Sequence, residues 1–326
     1  MQIVVTGAAG FLGRRLIAAL LRRGSIVTAS GVTTSITRIG AFDVVSAGGF
    51  QDDRVTPVVG DISDPSQVAR VIGPDTISVF HLAAIVSGQA ESDFDLGMRI
   101  NIDSTRLAME RIRSAAPGAK FLMTSSVAVF GGDLPDIVPD SQVWRPQSSY
   151  GTQKAISDLL LADYSRRGYL DGRSLRMPTI VVRPGKPNNA ASSFASGIIR
   201  EPLNGLDAVC PVPPETALWL MSPDQAIRNI VHGHDIPARE LGANRVINMP
   251  GLSVTVAEML RALRRVGGDA AADRVRMQPD PTIAKMVSSW PGNFAAELAT
   301  DLGFTHDKDF GQVIEAYLTD IGRVSL

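Results

Sequence analysis

The stretch IVVTGAAGFLG, residues 3–13, joins a short apolar strand to an amphipathic helix through three glycines. Its first three residues are β-branched, and apolar residues from Phe11 to Leu21 recur at helical spacing. Gly7, Gly10 and Gly13 stand at the first, fourth and seventh places of the turn. Glycine there lets the chain turn tightly, approach a pyrophosphate closely and pack the helix hard against the strand. Because N–H groups and the dipole at a helix start favour phosphate, the stretch predicts a dinucleotide-binding turn.

Short apolar runs alternate with helical stretches through the first half of the chain. The expected later strands are Ile39 to Val45, Val55 to Val59, Ser78 to Leu82, Lys120 to Thr124 and Thr179 to Val182. Helical stretches such as Val68 to Ile72 and Ile102 to Ser114 separate most of them. Alternation of this kind indicates a parallel sheet with helices on both faces. We therefore expect an α/β fold with a Rossmann-type doubly wound parallel sheet.

The chain becomes rich in proline and small residues after Pro184, which indicates a second module. Arg245 to Met249 again has the pattern of a strand, and Val256 to Val266 that of an amphipathic helix. We predict a dinucleotide-binding Rossmann domain and a smaller C-terminal substrate-binding α/β domain. The first comprises residues 1–184, with 228–251 returning to its sheet, and the second comprises 185–227 and 252–326.

The composition argues against several kinds of partner. Of the 326 residues, 44% are hydrophobic and 20% are charged, with 32 Lys+Arg against 33 Asp+Glu. This balance gives no overall field for nucleic acid or an anionic membrane, and no apolar run reaches the roughly 18 residues that span a bilayer. The single cysteine, Cys210, excludes an internal disulfide, and we see no secretory leader. His232 and His234 lack a third ligand at metal spacing. We therefore expect a cytoplasmic protein without a metal.

A carboxylate at the end of the second strand would accept hydrogen bonds from an adenosine ribose and favour NAD over its 2′-phosphorylated form. Asp43 is the candidate, although it lies 30 positions after the last glycine of the turn, where about 20 is usual. That spacing requires Ser25 to Ser35 to be an insertion or loop. The alternative takes Ile26 to Ala29 as the second strand, which leaves no acid there. Asp61 and Ile62 follow another strand, where a contact to the adenine competes with an ordinary surface position.

Tyr150 and Lys154 are four residues apart, so both side chains lie on one face of a helix that Ser148 or Ser149 can cap. A free phenol has a pKa of about 10 and is a poor base near neutrality unless a cation favours the phenolate. The Lys154 ammonium and a positive nicotinamide ring would supply that charge. Tyr150 would then take a proton from a substrate hydroxyl while a hydride leaves for the nicotinamide.

Ser125 and Ser126 follow the strand that ends at Thr124, at the edge where open α/β sheets bind their ligands. Ser126 is the better candidate to orient a substrate oxygen beside Tyr150. The Tyr–Lys spacing alone is common in helices. Its combination with a serine pair and a glycine turn predicts a dehydrogenase site.

These segments resemble the extended short-chain dehydrogenase/reductase family, which includes nucleotide-sugar epimerases and dehydratases. The matching pieces are TGAAGFLG at residues 6–13, GDI at 60–62, HLAA at 81–84, Asn101 with Thr105, SSVAVFGG at 125–132 and YGTQK at 150–154. The resemblance implies a catalytic triad of Ser126, Tyr150 and Lys154, with NAD as the cofactor. Together with the arguments above, the expected cofactor-binding residues are Gly7, Gly10, Phe11, Leu12, Gly13, Asp43, Asp61, Ile62, Leu82, Ala83, Ala84, Asn101, Ser125, Tyr150, Lys154 and Pro178.

The second half resembles one group within that family, whose members oxidise the 2-hydroxyl of the four-carbon sugar acid D-erythronate with NAD. The resemblance rests on Met177 to Leu203 and on CPVPP at residues 210–214. A small hydroxy acid needs a compact polar pocket with one cation for its carboxylate, preferably a guanidinium. The substrate-binding candidates are Ser87, Ser126, Thr179, Arg183, Lys186 and Ser192, with Ser193 and Arg200 as further ones.

The sequence is also consistent with two other functions. A nucleotide-sugar epimerase or dehydratase would use the same three catalytic side chains with a tightly held cofactor. A non-catalytic dinucleotide sensor would keep the fold and regulate a protein partner. The family resemblance also implies a homodimer that forms through the helix carrying Tyr150 and its neighbour.

Overall fold

The computed structural model describes residues 1–185 and 192–323 of the chain. Its strands are β1 Gln2–Thr6, β2 Ser25–Val27, β3 Thr33–Ser35, β4 Ile39–Asp43, β5 Val55–Val59, β6 Thr76–His81, β7 Lys120–Ser126, β8 Asp171–Met177, β9 Thr179–Ile180, β10 Ala208–Cys210, β11 Ala217–Met221, β12 Val246–Asn248, β13 Leu252–Thr255 and β14 Val275–Met277.

Helices connect most of these strands. They are α1 Phe11–Arg23, α2 Pro65–Val71, α3 Ser87–Ser92, α4 Phe94–Gly97, α5 Ser104–Ala115, α6 Ser149–Arg166, α7 Ser193–Leu203, α8 Pro223–Asp235, α9 Ala238–Leu241, α10 Val256–Gly267, α11 Asp269–Ala272, α12 Pro281–Ser288, α13 Glu297–Asp301 and α14 Phe310–Asp320. A π-helical turn, Met98–Asp103, leads directly into α5, and a 3₁₀ turn, Val127–Val129, follows β7.

The central sheet of the described residues has the strand order β5-β4-β1-β6-β7-β8-β12, and every neighbouring pair is parallel. Strand order reverses between β1 and β6, so the segments that follow these two strands leave on opposite faces of the sheet and a crevice forms between them. This confirms the expected Rossmann-type doubly wound sheet.

Alternate residues of the strands enter cores on opposite faces of the sheet. Ile3 and Val5 of β1 pack in a core that includes residues of α1 and α8. Val4, between them, packs in a second core with residues of α2 and α5. The period of two along a strand and the apolar stripe of each helix account for this layering.

The spacing of Asp43 is explained by a small insertion. β2 and β3 form an antiparallel hairpin in which Ser25 pairs with Ser35, and this hairpin is separate from the central sheet. β4 therefore takes the place beside β1, with Thr6 opposite Phe42. The prediction that Ser25 to Ser35 is an insertion is confirmed, and the alternative second strand at Ile26 to Ala29 is wrong.

One predicted strand was placed in the wrong sheet. Residues 179–182 do not join the central sheet, and only β9 forms there, pairing with β11 in a three-stranded sheet. The strand that pairs with β7 in the central sheet is β8. Its sequence has the pattern of a polar segment because it contains Arg173 and Arg176. Both arginines are buried, and each forms an ion pair with an aspartate. The two arginines are therefore the reason why the sequence does not predict this buried strand.

A further core gathers apolar residues between Val181 and Ile321. Its strands form the sheet β13-β11-β9 and the pair β10-β14, so a smaller α/β unit stands beside the Rossmann sheet. β12 pairs with β8 at the edge of the central sheet. The exact domain boundaries remain a prediction. Among the residues described, every helix is too short or too polar to traverse a lipid bilayer.

Candidate active site

The turn after β1 leaves no room for a side chain at its first and last glycines. Gly7 has φ +70°, and a Cβ built there would lie 2.7 Å from the backbone nitrogen of Ala83. A Cβ on Gly13 would lie 2.2 Å from the carbonyl oxygen of Gly7. The first glycine therefore lets β1 approach the loop after β6, and the last lets α1 pack on the turn.

The start of α1 suits a bound anion. Gly10 is the N-cap and makes no side-chain capping bond, and the first turn of the helix contains no acidic residue. Backbone N–H groups at such a start are free of intrahelical acceptors, and the helix dipole adds positive potential there. The turn thus fits the pyrophosphate of a dinucleotide.

A first pocket, which we call the glycine-side pocket, opens over this turn. The predicted residues that line it are Gly7, Gly10, Asp43, Asp61, Ile62, Leu82, Ala83 and Ala84. Asp43 is fixed at its mouth, because one carboxylate oxygen accepts the Ala9 N–H at 3.0 Å. Asp61 is exposed, and its carboxylate accepts bonds from the backbone and hydroxyl of Ser63. The two acids therefore flank the pocket from neighbouring strand ends.

A second pocket, the tyrosine-side pocket, lies at the ends of β7 and β8. Its predicted residues are Leu12, Ser87, Ser125, Ser126, Tyr150, Pro178, Thr179, Arg183 and Ser192, and Trp290 also lines it. Among the described lining residues, Arg183 carries the only charged side chain. The backbone of Arg183 donates to Ser196 Oγ at 3.0 Å, and its Nε donates to the Ile180 carbonyl at 3.0 Å. This segment thus holds one cation opposite the phenol.

Helix α6 delivers the tyrosine and the lysine. It begins after Ser148, whose hydroxyl accepts the Gly151 N–H at 3.1 Å. The Lys154 ammonium donates to the Thr124 carbonyl at 2.9 Å and lies 5.7 Å from the centre of the Tyr150 ring. Helical spacing therefore places both groups on one face against the end of β7, as expected.

The charges around Tyr150 differ from the sequence-based expectation. Burial raises the pKa of Tyr150 above its usual value, while the Arg183 guanidinium and a bond with Ser126 act in the opposite direction. Burial lowers the pKa of Lys154 to about 8, and the Asp158 carboxylate opposes that change. Without a bound nicotinamide, Lys154 alone therefore does not make the phenol acidic. Arg183 is therefore a second cation beside the phenol, in addition to Lys154.

Asp158 anchors the same helix one turn beyond Lys154. Its side chain is fully buried and accepts bonds from Ser125 Oγ at 3.1 Å, Ser174 Oγ at 2.6 Å and Arg176 Nε at 2.8 Å. Because Ser125 adjoins Ser126, this contact ties the active face of α6 to the strand that carries the serines. The guanidinium of Arg176 also lies 3.8 Å from the centre of the Trp144 ring.

Comparison with known proteins now decides the family. The NAD dependent epimerase/dehydratase family profile matches residues 3–236, which is more than half of the chain. The chain belongs to this family. Relatives agree with an oxidoreductase assignment, and NAD is the cofactor that the family uses. The glycine turn and the uncapped start of α1 fit that cofactor.

Two relatives of this family member are D-erythronate dehydrogenases. The enzyme from Cupriavidus necator is 54% identical over 322 residues, covering 99% of each chain. The enzyme from Haemophilus influenzae is 43% identical over 319 residues, covering 98% of this chain and 99% of its own. A solved structure described as the nucleoside-diphosphate-sugar epimerase from Agrobacterium tumefaciens has a TM-score of 0.93 at 42% identity, covering 99% and 95% of the two chains.

Some predicted site residues of the epimerase/dehydratase-family enzyme lie behind the pockets rather than in their walls. Gly13 packs under the turn, and Phe11 lies below the Arg15 guanidinium, 4.8 Å from it. Asn101 is buried, and its amide bonds both backbone groups of Ile85. Lys186 lies outside the described residues. No group of three or more His, Cys, Asp or Glu side chains in the described ranges is placed to hold a metal.

Sequence reasoning missed two residues around the site of this family member, Asp158 and Arg176. Asp158 had a signal, since it continues the spacing of four that links Tyr150 and Lys154. Arg176, its ion-pair partner, comes from a strand that the charge pattern concealed. For Trp290 the sequence allowed either packing within the second module or a place beside the pocket, and this residue lines the tyrosine-side pocket.

Proposed function

We propose that the protein oxidises the 2-hydroxyl of a short sugar acid, D-erythronate, to the 2-oxo acid with NAD. One observation carries this proposal: the tyrosine-side pocket presents Tyr150 and a single guanidinium, Arg183, to the same space. A 2-hydroxy acid has its carboxylate on the carbon beside the reacting one, so one base and one adjacent cation match its two ends. The two D-erythronate dehydrogenase relatives support the same substrate.

Each catalytic side chain would have a separate role in removing the proton of the substrate hydroxyl. Ser126 would hold the substrate hydroxyl beside Tyr150, and Tyr150 would take its proton. The positive charges of Arg183 and Lys154 would stabilise the phenolate, which burial alone disfavours. Bound NAD supplies the hydride acceptor. Lys154 is held for this task by the Thr124 carbonyl, and Asp158 favours its charged form.

Arg183 would bind the carboxylate of the substrate. Within residues 1–185 and 192–323 it forms no ion pair with a protein carboxylate. By contrast, the Arg200 guanidinium is bound to the Arg183 carbonyl and to Glu201, so Arg200 holds the segment in place and is a poor candidate for the substrate. Ser87, Thr179 and Ser192 line the pocket and would contact the remaining hydroxyls.

The cofactor would lie across both pockets. Its pyrophosphate would contact the start of α1, and its adenosine ribose would donate to Asp43 in the glycine-side pocket. Asp61 and Ile62 would border the adenine. Leu12, Ser125 and Pro178 line the tyrosine-side pocket, where the nicotinamide must meet Tyr150.

A nucleotide-sugar epimerase is the second candidate, because the Agrobacterium tumefaciens structure carries that description at 42% identity. Such a substrate brings a diphosphate, which proteins usually bind with several cations or a helix start. The described wall of the tyrosine-side pocket offers Arg183 alone. This charge count favours the acid over the nucleotide sugar.

The deciding experiment is a substrate panel. Purified protein is mixed with four- and five-carbon sugar acids and with NAD or NADP, and absorbance of the reduced cofactor is followed. We expect turnover with D-erythronate and NAD. Interconversion of a UDP-sugar without net reduction of NAD would indicate the epimerase. Cofactor binding without turnover of either substrate class would indicate the sensor.

We also propose that two chains associate through α5 and α6, and that the protein works in the cytoplasm. The exposed side chain of Leu159 on α6, at 59% of its full accessible area, is consistent with a helix face that another surface covers. Light scattering coupled to size exclusion would give the mass. A monomer at assay concentrations would refute the pairing.

A further inference from the structure

The buried imidazole of His81 connects three elements around the glycine-side pocket. His81 ends β6, and its Nδ1 lies 2.9 Å from the Thr6 hydroxyl at the end of β1. Its Nε2 lies 3.0 Å from the Thr105 hydroxyl on α5. The ring also stacks on Phe121 of β7, with 5.6 Å between centroids. One side chain thus touches both strands that form the crevice and the helix behind them.

The donor and acceptor in each of these hydrogen bonds can be assigned by starting from Asn101, which ends the hydrogen-bond series Thr6–His81–Thr105–Asn101. The Asn101 carbonyl can only accept, and the Thr105 hydroxyl donates to it at 2.8 Å. Because that hydroxyl has one hydrogen, its oxygen must accept from Nε2–H of His81. In a neutral ring the other nitrogen is then an acceptor, so the Thr6 hydroxyl donates to Nδ1.

The same hydrogen-bond series fixes the loop 82–85, which lines the glycine-side pocket. The Ala83 N–H donates to the Thr6 hydroxyl at 3.3 Å, and Ala83 faces the Gly7 backbone where no Cβ fits. Ile85 lies two residues after Ala83, and the side-chain amide of Asn101 bonds its N–H and its carbonyl at 2.8 and 3.1 Å. The loop 82–85 is therefore held at one end through His81 and at the other by Asn101.

We propose that His81, as a neutral ring protonated on Nε2, is a positioning residue that holds the loop 82–85 in place for NAD. Burial lowers the pKa of His81 to about 3, and the Lys154 ammonium on α6 acts in the same direction. The side chains that bond to the ring or stack on it are those of Thr6, Thr105 and Phe121, which carry no charge. The neutral form is thus the one that the surroundings support. Asn101, which ends the hydrogen-bond series, lies in the π-helical turn 98–103, and such turns are frequent at functional sites.

The chain contains a matched control in His234. This second buried histidine stacks on Phe80 and accepts at Nε2 from Ser78, 2.8 Å away, while Nδ1 faces the Asp235 carboxylate at 3.1 Å. A carboxylate can only accept, so His234 carries its proton on Nδ1. The two buried rings are therefore opposite tautomers. His234 lies outside the described lining of both pockets.

The first test is nitrogen NMR of the histidine rings in the unmodified protein, assigned with the variants His81→Phe and His234→Phe. We expect Nε2–H for His81 and Nδ1–H for His234, both neutral at pH 6. An Nδ1–H or a charged ring at His81 would reverse the hydrogen-bond chain and overturn the proposal.

The second test measures NADH binding by fluorescence, without any substrate, together with thermal unfolding. Both histidine variants should lower the midpoint of unfolding, but His81→Phe should raise the Kd for NADH about tenfold more than His234→Phe, as expected for one or two lost hydrogen bonds. Thr105→Val should act like His81→Phe, and Thr105→Ser, which keeps the hydroxyl, should bind normally. Equal Kd values for the two histidine variants would show a purely structural role.

Because neither readout requires turnover, these results are independent of the substrate that we propose.

Discussion

At the scale of single residues, the site combines a phenol that is difficult to ionise with cations that assist it from two sides. Tyr150 is half-buried, and Arg183 acts on it from the segment that follows β9. Lys154 approaches from its own helix and is bound to the end of β7. The phenol's protonation therefore depends on residues that are distant in sequence, and each can be tested separately.

Tyr150→Phe removes the proposed base and leaves the ring in place. We expect kcat for D-erythronate to fall by about 10²- to 10⁴-fold, the usual contribution of a positioned acid or base. NADH binding should change little. The control is Tyr164→Phe on the same helix, because the Tyr164 hydroxyl donates to Glu110 away from either pocket. Substantial oxidation by the Tyr150 variant would assign the proton transfer to another group.

Arg183→Met keeps much of the side-chain length and removes the charge. The KM for the acid should rise about 10- to 100-fold, because a charge-assisted bond to a carboxylate is worth roughly 1.5–3 kcal/mol. KM for NAD should remain within about twofold. Arg166→Met is the control, since Arg166 lies on the exposed side of α6 in a solvent-exposed ion pair. An equal rise in both KM values would place Arg183 at the cofactor instead.

At the scale of elements, the fit between α1 and the glycine turn limits which side chains the helix can carry. Gly13 lies within α1, where alanine would normally be preferred. Its neighbour, the Gly7 carbonyl, is backbone and cannot move without altering the turn. The requirement for glycine therefore comes from packing rather than from helix propensity.

Gly13→Ala should lower the free energy of unfolding by about 1–3 kcal/mol, the usual cost of forcing atoms into a packed site, and should weaken NADH binding. Gly197 of α7 is the matched helical glycine. Its Cβ would meet nothing closer than 3.8 Å, so Gly197→Ala should be neutral or stabilising by up to about 1 kcal/mol. Urea unfolding and NADH titration of both variants check this. Similar results for the two variants would contradict the packing argument.

The elements that could be predicted are those with a local signal. The strand–turn–helix at residues 3–13 and the β4 position of Asp43 follow from apolar period and spacing. β8 could not be found in this way, because it contains two arginines. These arginines can be buried only because each forms an ion pair, Arg173 with Asp171 and Arg176 with Asp158. The influence of Arg183 on Tyr150 and the position of Trp290 depend on tertiary packing between distant segments, which no window of sequence reports.

At the scale of the whole molecule, two neutral histidines are buried in the Rossmann part of the chain, His81 at the end of β6 and His234 on α8. The pKa of His81 is lowered to about 3 and that of His234 to about 4, in both cases mainly by burial. In the unfolded chain each would titrate near 6.5. The unfolded state therefore binds protons at a pH where the folded state does not.

Stability should accordingly be full above about pH 6.5 and fall as the pH drops toward 4. Each histidine contributes a slope of up to about 1.4 kcal/mol per pH unit in this range. Urea unfolding at several pH values measures the total. The His234→Phe variant should lose one histidine's share of the slope between pH 6 and 5. An unchanged slope would mean that other groups cause the acid sensitivity.

The edge position of β12 has a consequence for synthesis of the chain on the ribosome. β8 pairs with β7 on one side and with β12 on the other, and Arg245 beside β12 bonds the Asp171 carboxylate at 2.8 Å. Residues 246–248 emerge long after β8 has been made. Until then, the nascent sheet exposes the unpaired N–H and carbonyl groups of β8, which is the kind of edge that joins with other strands. Translation must therefore continue through the first part of the second unit before the Rossmann sheet is closed at that edge.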